Sequence, residues 1–139
     1  MRIRHFEKKD RETVIRLWRV CDLVRPWNDP NKDIDRKLEF QPELFFVGIV
    51  GEEIIASAMA GYDGHRGSVF YLAVAPNCQG KGYGQQIMAY IETKLTQLGC
   101  PKLNIVVRSS NEKDLGFYKA LSYSKDEVAS IGKRLISDA

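Results

Sequence analysis

Thirteen residues near the middle of the chain constrain it most: Leu72-Ala73-Val74-Ala75-Pro76-Asn77-Cys78-Gln79-Gly80-Lys81-Gly82-Tyr83-Gly84. An apolar strand runs into a proline turn, then into three alternating glycines, then directly into an amphipathic helix. Glycine at such a junction lets backbone N–H groups approach a ligand with no Cβ in the way. The helix start adds unpaired N–H groups and a partial positive charge, which together favour an anion. Lys81 brings a full positive charge to the same place, so the ligand expected is a phosphate or pyrophosphate. A Walker A loop would need Ser or Thr after the lysine, where Gly82 stands. A dinucleotide fingerprint would need a third glycine where Gln85 stands. Neither pattern fits.

The rest of the composition limits what could surround this loop. A chain of 139 residues with 44% hydrophobic and 28% charged residues suits one ordinary domain, residues 1–139, with a core that needs no staple. The 21 basic and 18 acidic residues leave +3, and the two signs alternate along most of the chain. A nucleic-acid binder would concentrate its basic residues in a stripe. Cys21, Cys78 and Cys100 form no close pair, and His5 and His65 are far apart, which argues against a metal site. The opening residues carry no apolar signal segment, and the longest uncharged stretch, Gly67–Gly80, is too short to span a bilayer. The expectation is a cytoplasmic protein with reduced thiols and no membrane partner.

The periodicities predict an order of elements. Arg2–Phe6 reads as a strand. Asp10 reads as the N-cap of a helix carrying Val14, Leu17, Trp18 and Cys21. A loop with two prolines, Arg25–Pro30, leads to a second helix through Ile34, Leu38 and Gln41 that Pro42 ends. Leu44–Val50, Glu53–Ala60 and Ser68–Val74 read as an antiparallel meander, with turns at Gly51-Glu52 and Gly61–Gly67. A helix from Tyr83 repeats Ile87, Ile91, Leu95 and Leu98 before Gly99 stops it. Leu103–Val107 reads as a strand, Asn111–Leu121 as a helix, and Tyr123–Val128 with Ile131–Ile136 as a closing hairpin. This is an α/β fold with a mixed central sheet and about four helices.

Gln79-Gly80-Lys81-Gly82-Tyr83-Gly84 matches the Q/R-x-x-G-x-G/A signature of the GNAT N-acetyltransferase superfamily, and the chain resembles that family over nearly its whole length. Leu72–Pro76 resembles its strand and turn, and Asn111, Tyr118 and Tyr123 resemble the pattern of its last helix. Ser122 stands where the family usually has glycine. The resemblance implies acetyl-CoA as donor and a primary amine, on a small molecule or a peptide, as acceptor. It implies that backbone amides around Gln79, Gly80, Lys81, Gly82, Tyr83 and Gly84 bind the pyrophosphate. The strand residues Leu72, Ala73 and Val74 would hold the pantetheine arm, with Asn111 and Tyr118 also on the cofactor. The parallel strand pair would be splayed by that cofactor, and the protein would be a monomer or homodimer.

Amine attack on a thioester needs a free amine, a donor for the developing oxyanion and a proton for the departing thiolate. A backbone N–H near Val74 suits the oxyanion, and Tyr118 occupies the family's general-acid position. The base is open. The family's strand glutamate has no counterpart in Ser68–Val74, which leaves Asp63 and His65 in the preceding loop, a water relay, or as a third candidate Asp29, although an Asp before Pro is more often a turn residue. That gap keeps a second reading, a non-catalytic CoA-binding or sensory module. Trp27, Asn28 and Asp29, between the first two helices, fall where the family binds its acceptor. Cys78 raises a covalent route, but no histidine is paired with it, so direct transfer in a ternary complex is expected.

Overall fold

Phe45 and Phe46 are adjacent and both fully buried, yet they meet different partners. Phe45 stacks on Phe6 with centroids 4.3 Å apart, whereas Phe46 meets Tyr90 edge-on at 5.1 Å. Successive side chains leave a strand on opposite faces, so this pair requires a sheet covered on both sides. The structure, a computed structural model, describes residues 1–139.

The elements are β1 (Arg2–His5), α1 (Arg11–Val20), α2 (Pro30–Glu39), β2 (Phe45–Val50), β3 (Glu53–Tyr62), β4 (Gly67–Val74), α3 (Tyr83–Gln97), β5 (Leu103–Asn104) and α4 (Glu112–Ala120). The sheet runs β1-β2-β3-β4-β5. Its first four strands are antiparallel neighbours, and β5 is parallel to β4 after the α3 crossover. One face packs Phe45, Val47 and Ile49 against Val14, Ile15, Leu17 and Trp18 of α1 and Ile34 of α2. α3 buries Ile87, Met88, Ile91 and Leu95, and its Tyr90 meets Phe46 from the other face. Residues 1–104 with Asp138 and Ala139 make one compact unit, and residues 105–137 make a second.

The predicted order of elements is observed up to α4, with four local corrections. Asp10 does not cap α1 with its side chain. Its buried carboxylate instead takes a two-point bond from Arg4, at 2.7 and 3.0 Å, and another from the Glu7 N–H at 2.8 Å. Burial pushes this carboxyl up, but those hydrogen bonds and the Arg4 charge more than offset it, leaving it below the usual range. α2 ends at Glu39, before Pro42: Phe40 is already extended, with φ of −132°, and Gln41 then adopts a left-handed conformation with φ of 55°. The predicted strand Leu103–Val107 shrinks to Leu103–Asn104, and its ladder with β4 stops at Ser68–Asn104. β4 carries a register break a few residues further on, and such a bulge bends a strand away from its neighbours.

The fourth correction is the closing hairpin, which does not form: residues 124–137 hold no strand. Val128, Ile131 and Leu135 are 81, 94 and 87% exposed. Ile131 and Leu135, four apart, would share one face of a strand, but nothing covers that face, so alternation brings no burial.

Candidate active site

The glycine loop has the predicted form. Gly80 and Gly82 have φ of 78° and 85°, in the left-handed region, and Gly82 is the residue before the first turn of α3. A Cβ at either position would meet nothing within 4 Å. Conformation, not crowding, therefore demands glycine here. No side chain caps the α3 N-terminus, which leaves the first N–H groups of a 15-residue helix for a ligand. Lys81 lies exposed on the same loop. The loop is braced by the Gln79 side chain, whose amide donates to the Val74 carbonyl at 3.0 Å.

β4 leads into this loop with an open edge. Its pairing with β5 covers only Gly67 and Ser68, so Val69–Val74 has no strand partner on that side. Ala75 donates its N–H to the Ile55 carbonyl at 2.7 Å. The facing pair Ala56–Val74 is then the kind that exchanges no hydrogen bonds, and the Val74 N–H and carbonyl point away from β3. On the adjoining strand, the Asn104 Oδ1 is buried with no hydrogen-bond partner. Native structures rarely leave such an atom unpaired unless a ligand or water meets it.

The sequence reading missed the middle of β4. Tyr71 has φ of 54°, a rare and costly conformation for a bulky side chain. It sits at the register break, where Ser57 faces Ala73 but Met59 faces Phe70. A buried chain of bonds holds it there. Trp18 Nε1 donates to Ser57 Oγ at 2.9 Å, and Ser57 Oγ donates to the Tyr71 carbonyl at 3.0 Å. The Trp18 and Tyr71 rings stack at 3.8 Å. The Tyr71 hydroxyl then donates to Asp33 Oδ2, on α2, at 2.6 Å. Burial and the Asp33 charge hold this phenol well above the usual tyrosine range. Beside it, Arg36 lies 3.4 Å from Asp33 Oδ1 and 2.7 Å from Asp138 Oδ1. Asp138, whose side chain is 2% exposed, also accepts from the Asp29 N–H at 2.8 Å. Local periodicity carries no signal for this group, because its members come from α1, α2, β3, β4 and the C-terminal end of the chain.

The remaining expected residues fall in several places. Asp63 Oδ1 accepts from the N–H groups of His65 and Arg66, both at 2.8 Å, so its carboxylate closes a turn and is held below the usual range by those bonds. That turn precedes β4, whose eight residues put it roughly 23 Å from Val74. The structure therefore does not bring Asp63 or His65 to the glycine loop. Asp29 caps α2, accepting from Asn31 N at 2.8 Å and Lys32 N at 3.4 Å. Asn28 donates its N–H to the Arg25 carbonyl in the turn before it, and Trp27 is half exposed. In the second unit, Asn111 caps α4 by accepting from Asp114 N at 3.1 Å. Tyr118 lies between the rings of Phe117 and Tyr123. Burial, helped by Asp114, pushes its phenol up to about 12. Cys78 Sγ lies 3.6 Å from Asn77 Oδ1, its neighbour in the loop.

The pattern of the acetyltransferase (GNAT) family matches residues 12–123. The chain is 51% identical over 138 residues to an acetyltransferase of Yersinia enterocolitica, covering 99% of this chain and 98% of that relative. It is 49% identical over the same length, with the same coverage, to an acetyltransferase of Pectobacterium atrosepticum. Its fold is similar to that of the ribosomal-protein-S18-alanine N-acetyltransferase from Escherichia coli. That match has a TM-score of 0.74 at 20% identity and covers 90% of this chain and 78% of that one. It is also similar to AAC(6')-Iy, with a TM-score of 0.74 at 19% identity, covering 96% and 97% of the two chains. The chain belongs to the GNAT acetyltransferase family. No helix is long and apolar enough to cross a membrane.

Proposed function

We propose that this acetyltransferase moves an acetyl group from acetyl-CoA to a primary amine by direct attack within a ternary complex. The observation that carries the reading is the junction of β4 and α3: an open strand edge, left-handed glycines and an uncapped helix start in one continuous stretch. These features fit the donor molecule. The amides around Gln79–Gly84 and the charge of Lys81 suit its pyrophosphate. The edge of Leu72, Ala73 and Val74 offers hydrogen bonds to an amide-bearing arm, and the orphaned Asn104 Oδ1 offers an acceptor to it. The Val74 N–H, turned away from β3, suits the thioester oxygen. When bound, the donor supplies an acyl carbon activated by a good leaving group.

The resemblance assigns the proton donor to Tyr118, with Asn111 beside it in sequence. At about 12, that phenol keeps its proton at neutral pH. It is a weaker acid than a thiol with a value near 8.5, so its contribution is a hydrogen bond to the departing sulfur, with the final proton drawn from the amine. Trp27, Asn28 and Asp29 border the acceptor in this reading. Incubation with acetyl-CoA and a panel of primary amines, followed by assay of free thiol, tests it. Thiol release dependent on one of the amines is expected, with Tyr118→Phe lowering kcat roughly 10- to 100-fold. Tight acetyl-CoA binding with no amine-dependent release would favour a CoA-binding module instead.

A further inference from the structure

We propose that the Tyr71 hydroxyl and the Asp33 carboxylate form the relay that takes the proton from the acceptor amine. This deepens the reading above and rests on it. β4 carries no carboxylate of its own between Ser68 and Val74, and the structure supplies one from α2. Tyr71 lies within the open edge Val69–Val74, along which the donor arm is proposed to run, and its hydroxyl reaches Asp33 at 2.6 Å. That length is typical of a hydroxyl donating to an ionised carboxylate.

The surroundings divide the work between the two groups. The phenol holds its proton too strongly to be the base itself, but its oxygen can accept one proton while its own passes to Asp33. Asp33 Oδ2 takes the phenol hydrogen, and Oδ1 has Arg36 at 3.4 Å. Arg36 is held more closely by Asp138 at 2.7 Å, which leaves the Asp33 charge partly uncompensated. The charged and titratable groups around Asp33 are Lys32 and Arg36 on its own helix, Asp29 at that helix's cap, the neutral phenol of Tyr71 from β4 and Asp138 near the C-terminus. Trp18, from α1, adds no charge. Asp33 is 22% exposed, so the proton it gains can leave to water. The left-handed turn at Tyr71, braced by Ser57 and Trp18, is the kind of strained backbone that gathers at functional sites.

The step balances. The acceptor ammonium loses one proton through Tyr71 to the Asp33 carboxylate, which becomes a carboxylic acid. The freed nitrogen pair bonds to the thioester carbonyl carbon, the carbon–sulfur bond breaks with its electrons on sulfur, and a second amine proton neutralises the thiolate. The products are the N-acetyl amide and the free thiol.

Asp33→Asn and Tyr71→Phe test this, because the first keeps an acceptor for the phenol and the second keeps the ring on Trp18. Both variants are expected to fold, checked by circular dichroism, and to bind acetyl-CoA with unchanged affinity by calorimetry. At pH 7 each should lose roughly 100-fold in kcat toward the best amine. As the pH approaches the amine's own value near 10, solvent supplies the free amine, and the deficit should shrink to within about threefold. A residue that merely held α2 against β4 would give the same deficit at every pH. A deficit that does not change with pH, or variants within about threefold of wild type at pH 7, overturns the relay while leaving the acetyl transfer standing. Absence of acetyl transfer to any amine by the wild-type protein overturns the transfer reading and the relay with it.

Discussion

At the scale of single residues, Ser57 does more than its size suggests. Fully buried between two sheet neighbours, it accepts from the Trp18 indole and donates to the carbonyl of Tyr71. Ser57→Ala would leave both partners unsatisfied, and each such group costs about 1–3 kcal/mol. Urea unfolding should therefore show a loss of at least 1 kcal/mol, and an unchanged midpoint would show that the Tyr71 bulge holds without this brace. A serine in a strand reads as an ordinary polar position, and only the three-way meeting with α1 and β4 reveals its work. Ser122 was legible by contrast. Glycine is usual at its place in the family, and its φ of 72° is the conformation that glycine suits.

Whole elements were legible wherever their signal is local. The strand, proline turn, glycines and helix of Leu72–Gln97 follow from composition and spacing within a short window, and the structure reproduces them. Because a Cβ at Gly82 would stand in open space, Gly82→Val acts through backbone strain on the loop. It should weaken acetyl-CoA binding by at least about 10-fold in a calorimetric titration, equal to about 1.4 kcal/mol, with thermal unfolding still cooperative. Unchanged affinity would remove the pyrophosphate from this loop. Elements whose existence depends on a distant partner were not legible. β5 keeps only two residues because the β4 ladder ends at Ser68. The stretch after Tyr123 forms no hairpin because its apolar residues find no surface to bury against. The carboxylate at Tyr71 was invisible for the same reason, since α2 contributes it across 38 residues of sequence.

For the whole molecule, the sequential order β1 to β5 with helices on both faces sets the open Val69–Val74 edge of β4 beside the uncapped start of α3. In the function proposed above this combination takes the donor, and the chain's membership of the acetyltransferase family is in keeping with that proposal. The cluster of Asp33 and Arg36 from α2, Tyr71 at the bulge of β4 and Asp138 near the chain's end joins distant stretches, which no reading of consecutive residues could assemble. The most direct measurement supplies acetyl-CoA carrying an isotopic label in its acetyl group and follows the label by mass spectrometry. Its appearance on the amine nitrogen of one acceptor, with free CoA formed in equal amount, is the expected result. Label that stays on bound acetyl-CoA with every amine tried would contradict acetyl transfer and leave a protein that only binds the donor.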